Sequence, residues 1–244
     1  NGAVVKVNQL SENIAKLNKQ IKESNISGNP ALELNDERNM LIDELANYLD
    51  IEVDIEPLNI GGGKSVDEIT IKLRNSNPAI TLVDRNSYNE LKVNKDADNN
   101  KITIDMITKD PAGTMDITSN ITGGQLNGYL KFLNGKGDFA QSDDEFENAK
   151  GVQFYQEMLD TLASKFAGIM NELNRKPEFN EDGTVAKWED KPLFESRDGK
   201  LINAGNIKIS ADWLKATDSY ITNTIIAPSG DSAGATDNIL KMIP

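Results

Sequence analysis

The sequence predicts an α+β protein: an elongated helical-bundle domain built from sequence-distant segments, with a β-rich domain inserted into it. Three observations predict this. The first fifty residues carry helical periodicity, residues 51 to about 121 carry a period of two, and the helical period then returns. Helices, then strands, then helices again imply that segments 1–50, 123–177 and 203–244 form one helical domain around a β-rich insert at 51–122. Residues 178–202 form a β-hairpin excursion. A chain of 244 residues suits one large or two smaller domains, and 38% hydrophobic with 6% aromatic residues is a lean core.

In the first helix Val7, Leu10, Ile14, Leu17 and Ile21 alternate steps of three and four, while Glu12, Asn13, Lys16, Lys19 and Gln20 fill the other faces. Such a narrow apolar seam suits packing along another long helix, as in a coiled coil. Ser27, Gly28, Asn29 and Pro30 stop it, because Gly accepts a left-handed cap and Pro cannot extend the ladder. A second helix carries Leu34, Leu41, Leu45 and Leu49 on one face. The strands follow as IEVDI, DEITIKL, AITLV, ELKV and KITIDM, separated by turn-forming stretches at 59–65, 75–78 and 96–100.

Beyond residue 121, Leu126, Leu130 and Leu133 mark a short helix ended by Gly135 and Gly137. A long helix is expected from about 145 to 176, with Phe146, Val152, Tyr155, Leu159, Leu162, Phe166, Ile169, Met170 and Leu173 on its apolar side. Its seam is expected to share a core with residues 1–50, burying Leu10, Leu17, Leu41, Leu45, Leu159 and Phe166 together. Asp182-Gly183 between Phe179 and Val185 signals a hairpin, and Arg197-Asp198-Gly199-Lys200 a further turn. Ile207 and Ile209 read as a brief strand before a turn of helix at Ser210, and 227–236 as a flexible loop.

Charge and composition exclude several functions. Lys plus Arg number 26 against 39 Asp plus Glu, and the net charge of -13 repels phosphate backbones, so no nucleic-acid partner is expected. No run approaches the roughly 18 apolar residues of a membrane span, so no membrane partner is expected either. Cys and His are both absent, which removes Ser-His and Cys-His nucleophile pairs, thiolate redox chemistry and most zinc sites. Composition drift and selection against disulfides in an exported protein both account for this. Asn1 in place of Met, and an ending in DNILKMIP that reads as the entry to a helix, lead us to expect a fragment.

The candidate chemistry is thin. Gly61-Gly62-Gly63-Lys64-Ser65 invites a phosphate-loop reading, but Leu58 stands where that motif needs Gly and a strand follows where it needs a helix. Asn94, Asp96, Asp98 and Asp105 occupy the first, third, fifth and twelfth positions of a calcium-loop template, with Asn99 at the sixth. Strand flanks and Asp in place of the bidentate Glu depart from that template, and a solvated hairpin tip accounts for the same residues. Asp143, Asp144 and Glu145 precede the long helix, where acidic side chains meet its dipole favourably. Ser-x-x-Lys does not occur, and Trp188 and Trp213 take packing roles by default. We therefore expect no catalytic, cofactor or metal site, hence no cofactor and no enzyme; an acid-base hydrolase is the weakest of the functional classes.

With those residues set out, one family fits. Leu34, Asn35, Asp36, Glu37, Arg38, Leu41, Leu45 and Val53 resemble the Asn-Asp-Leu-x-Asp-Gln-Arg-Asp-like helix and following strand of the flagellar hook-associated protein 1 family. ITGGQLNGYLKFLNG is similar to its Gly-Gly-x-Leu-x-Gly-x-Leu element, through Gly123, Gly124, Leu126, Gly128 and Leu130. Tyr155, Leu159, Leu162, Ala163, Phe166 and Asn171 resemble its Tyr-x-x-x-Leu-Asp-x-Leu-Ala helix, and NAGNIKIS its Ala-x-x-Ile-x-Val-Ser element. Flagellin and hook-associated protein 3 are close architectural relatives, and the Gly-Gly-x-Leu-x-Gly element followed by the long Tyr-x-x-x-Leu helix favours the first hook-associated protein over them. The family's terminal helices, with an Asn-Asn-Ile-Ala-Asn motif, have no counterpart here, and the block from about 55 to 120 matches nothing placed in the family.

The resemblance implies an extracellular structural subunit of the bacterial flagellum at the hook–filament junction, exported by the flagellar type III secretion system. It implies the hook protein and other hook-associated proteins as partners through the missing terminal helices, and an export chaperone. The trimmed chain is expected to be a monomer, its seams buried in one bundle and copies kept apart by charge. The alternative is a flagellin-like filament or adhesin module whose β domain binds an external partner.

Overall fold

The computed structural model describes residues 1–61, 64–96, 101–109, 112–141, 146, 148–226 and 235–243. They fall into two compact units, Asn1–Phe154 and Tyr155–Pro244. The expected three-part grouping divides the chain elsewhere, because the seam of the first helix packs on strands.

In the first unit α1 (Gly2–Ile26) and α2 (Leu32–Tyr48) form an antiparallel pair, separated by Gly28 at φ 83°. Val4, Val7, Leu10 and Ile14 of α1, Leu45 of α2 and Leu49 just after it are buried in one cluster with Ile69, Ile71, Leu82, Leu91 and Ile104 from the strands. A helical seam needs an apolar surface opposite it, and a sheet face supplies one as well as a second helix does. Leu17 and Ile21 continue the seam into a satellite cluster with Ala31, flanked by the half-buried Leu34 and Leu41.

An antiparallel sheet runs in the order β1 (Ile51–Gly61), β2 (Lys64–Leu73), β3 (Thr81–Asp84) and β4 (Ser87–Tyr88). Ile51 faces Leu73, Val53 faces Ile71 and Ile55 faces Ile69, so the period-two pattern read from the sequence sets the register. The turn at 59–65 is narrower than expected, since pairing continues to Gly61 and Lys64. A second antiparallel sheet holds β5 (Glu90–Lys95), β6 (Ile102–Lys109) and β7 (Ala112–Asp116).

Next come α3 (Gly124–Asn134) and then α4 (Val152–Leu173), which crosses from the first unit into the second. α4 starts later than the expected 145. Gly151 donates its N–H to the Gly135 carbonyl at 3.0 Å, and a Cβ at Gly151 would collide with the Phe132 carbonyl, so the backbone there is held against the end of α3 and is not helical. Gly124 is required too: its φ is 76° and any side chain would strike the Tyr48 carbonyl.

In the second unit β8 (Lys176–Phe179) and β9 (Val185–Glu189) make the expected Asp-Gly hairpin. β10 (Phe194–Ser196) pairs with β11 (Ile207–Ile209). α5 (Ala211–Lys215) is capped by Ser210, whose Oγ accepts the Trp213 N–H, and α6 (Asp237–Met242) follows. Most of the loop read at 227–236 lies outside the described residues.

Candidate assembly surface

Helices and strands are joined by asparagines. Asn8 of α1 donates to the Leu91 carbonyl and accepts the Leu91 N–H, both at 2.8 Å. Asn134 makes the same two-point pairing with Ile102, and Asn171 of α4 with Phe194, again at 2.8 Å throughout. The carboxamide has one donor and one acceptor side by side, so it completes a strand residue's backbone as a neighbouring strand would. Asn174, fully buried, donates to the Lys191 carbonyl at 2.7 Å and accepts the Thr222 N–H at 2.8 Å. Asn238 ties α6 to the Leu173 and Thr222 carbonyls.

These pairings decide which way α4 faces. Ala167, Asn171 and Asn174 lie on the side turned toward β10 and the segment around Thr222. Another side carries Tyr155, Leu159, Leu162, Phe166 and Ile169 at heptad spacing; Phe166 lies at its edge, 48% exposed with its ring 5.2 Å from that of Phe194 on β10, and Leu162 is 65% exposed. Leu159 is thus corrected from core to surface, and Phe166 from a core shared with residues 1–50 to a half-exposed ring packed on Phe194. The argument for a monomer from buried seams holds for α1 and does not hold for α4. An apolar stripe of this length turned to solvent marks a contact surface.

An apolar concavity of about 780 Å³ lies in the first unit, where Ala3 and Val4 of α1 meet Val93 and Ile102 of the second sheet and Leu126 and Leu130 of α3. Tyr129 and Phe132 stand exposed at its rim.

Two residues of the recognised helix motif, Asn35 and Arg38, build a polar hub. Arg38 is 7% exposed and donates to Asn18 Oδ1 at 3.3 Å and Asn35 Oδ1 at 2.9 Å, while its Nε finds no partner among the described residues. Burial pulls its guanidinium below the ordinary value, against the field of Asp67. Asn18 reaches on to the Arg85 carbonyl at 2.7 Å, and Glu68 holds Lys22 at 2.7 Å and Arg85 at 2.9 Å. The hub therefore ties α1, α2, β2 and the β3–β4 turn together.

The chemistry suggested by the sequence finds little geometric support. Gly62 and Gly63 of the glycine run lie outside the described residues, and Lys64 opens strand β2 with no helix after it. At the calcium template, Asn94 donates to Asp105 Oδ2 at 2.5 Å across the β5–β6 ladder and the Asp96 N–H bonds to the Lys101 carbonyl at 2.9 Å; Asp98 and Asn99 lie outside the described residues. Asp143, Asp144 and Glu145 lie outside them as well. Among the described residues no group of three or more acidic residues converges on a metal-sized site.

The carboxyls with displaced pKa all move down: Asp182 by the Thr184 hydroxyl, Glu195 by Lys208, Asp198 by the Lys200 N–H and Asp237 by the Thr224 hydroxyl. Trp188 lies on β9 beneath the Arg175 guanidinium at 5.6 Å, and Trp213 stacks on Tyr220 at 6.4 Å. No helix among the described residues is long and apolar enough to cross a membrane. Sequence reasoning missed the asparagine pairings and the hub, since one polar residue on a helix looks the same whether it meets water or a strand edge.

Fold and surface together define an α+β protein whose conspicuous features are apolar contact faces held on neutral clamps. The chain belongs to the family of the flagellar hook-associated protein FlgK helical domain, whose model matches residues 1–184. It is 28% identical over 247 residues to flagellar hook-associated protein 1 of Bacillus subtilis (strain 168), an alignment covering 97% of this chain and 46% of that protein. The chain therefore spans about half the length of that relative.

Proposed function

We propose that this chain serves in a structural subunit of the bacterial flagellum that joins hook to filament, acting by protein–protein assembly and not by catalysis. The family and its Bacillus subtilis relative carry flagellar hook-associated names, which supports a place outside the cell on the flagellum. The partners in this reading are the hook protein and other hook-associated proteins, with an export chaperone before assembly. The observation that carries it is the outward heptad seam of α4, a surface suited to another helix and to no small-molecule chemistry.

The test introduces Leu162→Asp and Ile169→Asp into the whole protein in a motile bacterium. Variants that fold by circular dichroism yet leave cells with hooks and no retained filaments are expected, with the exposed Glu157→Gln as an unaffected control. Folded seam variants that hold filaments as wild type does would overturn the proposal, as would substrate turnover by the purified protein.

A further inference from the structure

We propose that Asn134-Gly135, at the end of α3, is a deamidation site gated by the clamp on Ile102, and that conversion there records opening of the α3–β6 junction irreversibly. The fold requires both residues of this labile pair. Asn134 must be asparagine because it gives a donor and an acceptor to the Ile102 backbone, each at 2.8 Å. Gly135 must be glycine because a Cβ there would collide with the Ala149 and Lys131 carbonyls. Packing thus forces into sequence the dipeptide in which the following amide nitrogen is least hindered.

In the reaction, the Gly135 backbone nitrogen attacks Asn134 Cγ. The new bond between them closes a succinimide, the Cγ–Nδ2 bond of Asn134 breaks, and the amide leaves as ammonia with the proton that Gly135 gives up. Water then opens the ring to aspartate or isoaspartate. The closed structure forbids the first step. The Gly135 N–H is committed to the Lys131 carbonyl at 3.0 Å, the Asn134 amide is held at both ends, and helical backbone keeps the nucleophile away from Cγ. Conversion therefore waits on local opening.

Once made, the carboxylate cannot reclose the clamp. It has no N–H for the Ile102 carbonyl, and it places a charge at a site 2% exposed. Ile102 and Leu130 line the apolar concavity of the first unit, so loss of the clamp loosens one of its walls. Two other Asn-Gly steps serve as internal references. Asn1-Gly2 is exposed with no cap bond, whereas Asn127-Gly128 lies within α3 with Asn127 donating to the Ile121 carbonyl at 2.7 Å. Helix ends fray before helix interiors, which separates residue 134 from residue 127.

The experiment incubates the protein in mildly alkaline buffer, with and without urea, and maps conversion at the three steps by peptide mass spectrometry. The expected folded rate at Asn134 is at least about a hundredfold below its rate in full urea, with sub-denaturing urea raising it before that of Asn127. The converted protein, separated by ion exchange, is expected to have lost amide-exchange protection at Ile102 while the β8–β9 hairpin keeps its own. Asn134→Asp is the direct mimic, and the separated wild-type product serves the same purpose if that variant fails to fold. A folded rate equal to the urea rate would overturn the proposal, and so would full protection of Ile102 after conversion.

Discussion

Leu45→Ala and Leu159→Ala, measured side by side, test the orientation of α4 most directly. Leu45 is 0% exposed at the meeting of α1, α2 and the first sheet, whereas Leu159 is 52% exposed. Truncating a fully buried leucine loses its transfer free energy and leaves a cavity, so Leu45→Ala should cost about 2–5 kcal/mol. Fully burying a leucine stabilises by about 1.5–3 kcal/mol, so half of it with no enclosed cavity gives a cost of about 1 kcal/mol at Leu159. Both tryptophans, Trp188 and Trp213, lie in the second unit, so their fluorescence in urea follows that unit while far-UV circular dichroism follows both. Leu45→Ala should lower the midpoint of the dichroism component that the tryptophans do not share. Leu159→Ala should leave the tryptophan midpoint almost where it was. Equal costs at the two positions would refute the outward seam, and a cost at Leu45 below about 1 kcal/mol would refute the shared helix–sheet core.

The remaining predictions concern polar groups. Asn8→Ala strands the Leu91 N–H and carbonyl together and should cost about 2 kcal/mol, with faster amide exchange at Leu91; unchanged exchange there would mean that water replaces the carboxamide without penalty. Glu195 has its folded pKa depressed, first by the Lys208 ammonium and then by the Ala211 N–H. A depressed carboxyl stabilises the fold above its unfolded pKa, and that contribution is lost as pH falls through the folded value. The tryptophan-monitored midpoint should therefore drop on acidification below the ordinary carboxylate range, and Glu195→Gln should flatten that drop; an unchanged slope would show the Lys208 contact to be immaterial.

Local chemistry was legible in the sequence wherever it acts on neighbours along the backbone. The steps of the α1 seam, the Gly28 stop, the Asp182-Gly183 turn and the turn of helix at Ser210 each depend on residues within one turn of one another. β7 was not legible, because all of it is exposed and no apolar alternation marks it. The partition into units was not legible either, since the α1 seam carries no sign of whether a helix or a sheet will cover it. α4 fails for a related reason. Its periodicity says that one side is apolar, but Asn171 and Asn174 on the other side are what fix it to its neighbours. The surface of interest was visible as a pattern and misplaced as a location.

The choice of asparagine for those fixings follows from the charge. With 39 acidic and 26 basic residues, ion pairs are easily found, and Lys16–Glu12 and Lys187–Glu178 are instances at exposed positions. Exposed pairs of this kind contribute little and fade with added salt. A carboxamide pairing has no net charge to screen and no proton to lose across the working pH range, and its two bonds fix direction as well as distance. Elements held by Asn8, Asn134 and Asn171 therefore keep their mutual geometry when ionic strength changes. A protein that offers apolar faces to partners needs those faces held in place without spending apolar area on the task. Neutral two-point clamps meet that need, and they leave Leu159, Leu162 and Ile169 of α4 exposed.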